Sequence, residues 1–190
     1  AGMVTGLDML GLRDAFDVVY GSSGGASNGA YFVAGQAAYG TTIYYDHINS
    51  RAFINLWRPL RNKPVVDFHF VTEDVMVKSV VLDWQAVVDS PIPLKVLASC
   101  VESGDIEILE DFHSQQELMQ ALHASAHIPL VSGRNPYRYR GKLLWDSGIV
   151  DPLAIRSALS DHCTHLLALR SRPRGLPPRH LTFFERTVIA

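Results

Sequence analysis

Cysteine is scarce in this sequence: Cys100 and Cys163 are the two in 190 residues. Two are too few for a disulfide framework, and both sit in apolar, strand-like surroundings that suit buried reduced thiols. No group of His and Cys has the paired spacing of a zinc site. His123 and His127 stand four apart without the glutamate of an H-E-x-x-H motif, and His162-Cys163-Thr164-His165 has no second ligand pair. Excess charge is also missing. A formal net charge of -2 gives no general attraction for nucleic acid. The basic run Arg170, Arg172, Arg174 and Arg179 reads first as a solvated loop, with contact to anionic headgroups as the alternative. Residues 18–45 carry no charged side chain, but Gly, Ser and Thr clusters break the stretch, which reads as a buried strand-turn-helix and not as a membrane span. No basic segment leads into an apolar run as in a signal peptide, and neither a repeat nor a low-complexity tract is present. The chain starts at Ala1 within a helix-like pattern and stops in a short apolar run, so a fragment of a longer protein is expected. Compartment and oligomeric state stay open.

What is present is an apolar fraction of 47%, enough for a sizeable core in a single domain over residues 1–190. Met3, Val4, Leu7 and Leu10 have helical spacing, and Gly11 offers a stop. Residues 43–60 read as one or two short helices and form the most amphipathic stretch. Phe53, Leu56, Trp57 and Leu60 share one face there, with Arg51, Arg58 and Arg61 elsewhere. This stripe either packs on the core or forms an acyl-chain pocket wall or interfacial lid. Residues 94–101 are a near-continuous apolar run of the kind a buried strand needs, and residues 106–109 read as its return strand. Ser114 and Glu117 make a capping box that opens a helix to about residue 126. Residues 137–139 and 142–145 flank Arg140-Gly141 as a hairpin, whose second strand delivers Asp146 at its carboxyl end. Asp151-Pro152 reads as a cap and first turn of another helix, and residues 165–169 as a last strand. Strands alternating with helices imply an α/β fold with a mainly parallel sheet sandwiched by helices.

The chemistry-bearing stretch is Gly21-Ser22-Ser23-Gly24-Gly25, a G-x-S-x-G between an apolar strand and a helix-like segment. In that context the central serine rides a sharp, strained turn, and small residues at 21 and 25 avoid collisions there. Ser23 is therefore a candidate nucleophile. A serine hydroxyl needs a base. None of the eight histidines stands in a recognisable triad context, whereas Asp146 occupies a strand-end Asp-x-Gly turn with Gly148. A Ser-His-Asp triad in the order of the α/β-hydrolases stays open, with His162, His165 or His180 as its base.

Three segments together resemble the patatin-like phospholipases. They are residues 16–25, Ser125-Ala126-His127-Ile128-Pro129, and Trp145-Asp146-Ser147-Gly148-Ile149-Val150-Asp151-Pro152-Leu153. The resemblance covers nearly the whole chain. It implies a lipid acyl hydrolase of the phospholipase A type with Ser23 as nucleophile and Asp146 as dyad base, working without metal or organic cofactor. The backbone N–H of Gly24 would then serve the oxyanion. The family commonly has Asp-Gly-Gly where this chain has Asp146-Ser147-Gly148. The family also carries a glycine-rich oxyanion loop ahead of the first helix, and nothing like it precedes Ala1. The 190-residue piece alone is accordingly expected to be nearly inactive, and a lipid-binding pseudoenzyme is the alternative. Phe53, Trp57 and Trp84 are candidates for lining an acyl pocket. The implied partners are a lipid or phospholipid substrate and a peripheral membrane contact.

Overall fold

The computed structural model describes residues 1–171. The chain opens with α1 (Gly2–Met9), then β1 (Val19–Ser22), α2 (Gly24–Val33) and α3 (Ala37–Thr41). The helix-like segment that follows the Ser23 turn is not continuous: α2 stops and the chain turns at Gly35, whose φ of 68° suits a residue without a Cβ. Residues 43–60, expected to hold one or two short helices, hold two short helical turns, a π-helical one (Ile43–His47) and a 3-10 one (Arg58–Arg61), and no α-helix that would line up the expected apolar face. A wider π-helical segment (Phe70–Ser79) leads to α4 (Trp84–Val88), capped by Asp83 Oδ1 accepting from the Ala86 N–H.

The second half supplies most of the sheet: β2 (Leu94–Cys100), β3 (Ile106–Leu109), α5 (Gln115–Ser125), β4 (Tyr137–Tyr139), β5 (Lys142–Asp146) and α6 (Ile155–Ser160). The capping box forms at α5. Ser114 Oγ accepts from the Glu117 N–H at 3.2 Å, while Glu117 Oε2 reaches back to the His113 N–H at 2.9 Å. The hairpin turns through Arg140 and Gly141, both at positive φ (45° and 82°), which matches the twist of its strands. Asp151 does not open α6 as expected. The helix starts at Ile155, and Asp151 Oδ2 accepts from both the backbone N–H and the hydroxyl of Ser157 at 3.3 Å. Residues 165–169 form no strand among the described residues.

The sheet is mixed, which corrects the mainly parallel arrangement expected from the alternation of strands and helices. β1 and β2 run parallel, whereas β2–β3, β2–β5 and β4–β5 are antiparallel. Alternation fails as a guide because β3 and β4 enter through tight hairpins, with no crossover helix between partners. β2 is the centre, buried along nearly its whole length. One of its edges is occupied by β3 over residues 96–99. The opposite edge is shared, with β1 covering residues 94–97 and β5 covering 98–100 from the other direction. Ser22 pairs with Leu97 and Asp146 with Ala98, so the carboxyl ends of β1 and β5 abut head to head beside one another. Helices α2 and α5 pack against this sheet and α1 against α2 and α3. The core gathers Tyr31, Met76, Leu82, Leu97, Leu118, Leu122 and Leu144, each fully buried.

Candidate active site

At the end of β1 the chain passes from strand to helix through a single residue, Ser23, held at φ 54° and ψ -129°. That left-handed φ is uncommon for a side chain larger than glycine and stores strain. Gly21 makes the turn sterically feasible. A Cβ there would stand 2.3 Å from Ala26 Cα, on backbone that cannot retreat. Gly25 differs from expectation: a Cβ at that position would meet nothing within 4 Å, so its lack of a side chain relieves no clash in this structure. Ser23 occupies the N-cap position of α2, but its side chain does not cap the helix. The Ala26 N–H donates to the Ser23 carbonyl at 2.9 Å, while the Gly24 N–H, at the head of α2, lies at its positive dipole end.

Asp146 lies across from this turn because β5 ends where β1 ends. Its carboxyl is 6% exposed. Oδ1 accepts from the Gly148 N–H at 2.7 Å, a turn that depends on glycine, since a Cβ at 148 would come within 2.8 Å of that oxygen. Oδ2 is buried with no hydrogen-bond partner among the described residues. Burial pushes the Asp146 pKa above the ordinary carboxylate range, and nearness to the Ser23 hydroxyl, then the Gly148 N–H, opposes that rise. No hydrogen bond joins Ser23 to Oδ2 in this structure.

Four further serines lock the two turns together. Ser125 Oγ, fully buried at the end of α5, accepts from the Ser23 N–H at 2.9 Å. Ser22 Oγ and Ser147 Oγ are 2.6 Å apart, which gives a hydrogen-bonding role to the serine that stands where glycine is common in the Asp-Gly-Gly pattern. Ser99 donates its hydroxyl to the Asp146 carbonyl at 3.1 Å, and the Asp146 N–H donates to the His127 carbonyl at 2.9 Å. The segment 125–127 thus holds Ser23 with one end and Asp146 with the other. Sequence reasoning picked out this segment as a pattern but not its role as a strap.

Among the described residues, neither His162 nor His165 makes a hydrogen bond to Ser23 or Asp146; His165 Nδ1 pairs with Thr164 Oγ1 at 3.0 Å, and His180 lies outside the described residues, as do Arg172, Arg174 and Arg179. His123 and His127 join an aromatic stack. The His123 ring lies 4.0 Å from that of His69 and 4.6 Å from that of Tyr137, and His127 lies flat on Trp145 at 5.2 Å. Burial, and then the neighbouring imidazoles, lower the His123 pKa to about 3. Phe53 packs edge-on against Phe68 in the core, Trp84 is buried, and Trp57 stands in solvent. None of these three lines the cavity of about 720 Å³ between α1, β1, α2 and residues 152–169, whose wall includes Ser22, Gly25, Asn28 and Phe32.

A segment of 58 residues is 36% identical to 1-acylglycerol-3-phosphate O-acyltransferase Pnpla3 of Mus musculus, a match that covers 30% of this chain and 14% of that protein. The chain therefore spans a small part of this relative's length. The family profile described as patatin-like phospholipase matches residues 1–159, which include both the Ser23 turn and the Asp146 turn. With most of its length matched, the chain belongs to the patatin-like phospholipase family.

Proposed function

We propose that the chain carries the catalytic dyad of a lipid acyl hydrolase, with Ser23 as nucleophile and Asp146 as its base. One observation carries this reading: a strained serine at a helix N-terminus stands beside a buried carboxyl whose second oxygen has no partner among the described residues. Ser23 Oγ attacks the acyl carbonyl while its proton passes to Asp146, and the alcohol leaves with that proton. Water then attacks the acyl-enzyme, returns a proton through Asp146, and releases the fatty acid from Ser23. A carboxyl raised above its usual range is a stronger base than an exposed one and suits this transfer. The oxyanion that forms meets the Gly24 N–H at the positive end of α2. Both turns resist displacement, because backbone and serine hydroxyls fix each from two sides.

The name of the mouse relative adds an acyl-transfer outcome, in which a lipid alcohol replaces water in the second step. The first step is common to both. Release of free fatty acid from a phospholipid or a short-chain ester is the test. Hydrolysis that falls at least about 10³-fold in Ser23→Ala and in Asp146→Asn supports the dyad. Activity that survives either substitution removes it, and loss in His162→Ala or His165→Ala with survival in Asp146→Asn points to a histidine base instead.

A further inference from the structure

Leu56, Trp57 and Leu60 are 76%, 75% and 80% exposed, on a short loop of five residues. Single exposed apolar residues need no explanation, but three large ones together do. The loop is built firmly. Its stem is the antiparallel bridge of Ile54 with Val66, closed by hydrogen bonds from the Asn55 N–H to the Val65 carbonyl and from the Asp67 N–H to the Phe53 carbonyl, both 2.9 Å. Asn55 Oδ1 accepts from the Trp57 N–H at 3.0 Å, and the chain doubles back through Asn62 at φ 57°. Arg58 acts as a staple. It donates to the Ala52 and Phe53 carbonyls at 2.6 and 3.3 Å and pairs with Asp67 at 3.6 Å. A loop held this way keeps its apolar tip in water although Phe53, two residues before the tip's stem ends, is buried.

Charge identifies the partner. Residues 51–63 contain Arg51, Arg58, Arg61 and Lys63 and no acid, in a chain whose net charge is -2. Arg51, Arg61 and Lys63 are exposed and have no ion-pair partner among the described residues. Fields reach only about 8 Å at physiological salt, so this local patch governs what the loop meets, whatever the sum over the chain. An apolar wedge with a collar of free cations fits a bilayer surface bearing anionic headgroups: the wedge enters the acyl boundary and the cations meet phosphate. The loop is also tied to the site. The Val66 N–H donates to the Val131 carbonyl at 3.0 Å, in the turn that follows the Ser125–His127 strap.

We propose that residues 54–63 are a preformed membrane-docking loop, in which Leu56, Trp57 and Leu60 insert and Arg51, Arg61 and Lys63 hold anionic lipid. The proposal shares the lipid reading given above, but binding is read without turnover, so Ser23→Ala must bind vesicles as the unaltered chain does. The full chain is mixed with phosphatidylcholine vesicles, with or without phosphatidylglycerol, and sedimented. Binding to the anionic vesicles is expected, falling at least about tenfold in Leu56→Ser/Trp57→Ser/Leu60→Ser, because partition scales with inserted apolar area. Arg61→Glu/Lys63→Glu should lose at least about tenfold on anionic vesicles at low salt, each basic group near such a surface being worth roughly fivefold. Brominated lipid chains should quench a tryptophan component that is missing in Trp57→Phe. Absence of vesicle binding by the unaltered chain, or unchanged binding in the triple variant, overturns the proposal. So does a dimer that the triple variant dissolves without any vesicle binding, which would assign the patch to a second copy.

Discussion

Replacing His123 by phenylalanine should flatten the acid side of the stability profile. In the fold the His123 imidazole is buried against Tyr137, His69 and His127, and its pKa falls to about 3. In the unfolded chain it returns to an ordinary value of about 6.5. A base whose folded pKa is lowered leaves the unfolded chain holding more protons between the two values. Its contribution is thus intact above about pH 6.5, shrinks as pH drops through that value, and levels off near 3. At about pH 5 the unfolded imidazole gains roughly 1.5 pH units of proton binding that the folded one forgoes, or about 2 kcal/mol. That is a large share of a typical domain stability of about 5–15 kcal/mol. Phenylalanine keeps a flat ring on Tyr137 without the titration. Urea unfolding at about pH 7.5 and about pH 5 reads the difference: the unaltered chain should lose about 2 kcal/mol more than His123→Phe on acidification. Asp146, whose raised pKa works in the opposite sense, remains in both proteins and cancels in the comparison, as does the part of the His127 lowering that its own burial causes. Equal losses in the two proteins would refute the assignment of the acid sensitivity to this buried imidazole.

Gly148→Ala should leave folding largely intact yet cut turnover by about tenfold or more, because the new Cβ falls 2.8 Å from Asp146 Oδ1 and turns the carboxyl away; steady-state kinetics beside a thermal melt checks this. Gly21→Ala should instead destabilise the fold, since its Cβ meets Ala26 backbone at 2.3 Å, and a melting temperature equal to that of the unaltered chain would contradict the turn geometry. In a double-mutant cycle, Ser22→Ala and Ser147→Ala should show a coupling of about 1 kcal/mol, the worth of one neutral hydrogen bond; additive effects would mean that the 2.6 Å contact does not hold the two turns together.

The turns that carry Ser23 and Asp146 were legible because each is a short pattern whose geometry is local: a strand, a turn that small residues favour, and a helix or a glycine. Their meeting was not legible by the route expected. Parallel strands would have brought both to one edge of the sheet, but the structure brings them together by aiming β1 and β5 at each other along one side of β2. Register across distant strands is set by packing and not by a local signal, and so the sequence pattern is silent on it. The shared apolar face expected over 43–60 did not form, for a related reason. Phe53, Leu56, Trp57 and Leu60 share a face only if the backbone is an α-helix, and the tighter 3-10 turn at Pro59, with the Arg58 staple, leaves Phe53 inside and the other three outside. The serine strap was invisible because a lone serine at a helix end reads the same whether its hydroxyl caps, meets water, or holds another chain segment.

The dyad is tested most directly by a fluorophosphonate probe, which needs one nucleophilic attack and no turnover. After reaction, the intact chain should gain one adduct, mapped by peptide mass spectrometry to Ser23, with labelling that rises as the Asp146 carboxyl loses its proton and drops by orders of magnitude in Asp146→Asn. No adduct at Ser23, or a Ser23 adduct that forms equally fast in Asp146→Asn, would contradict the pairing of this serine with this carboxylate.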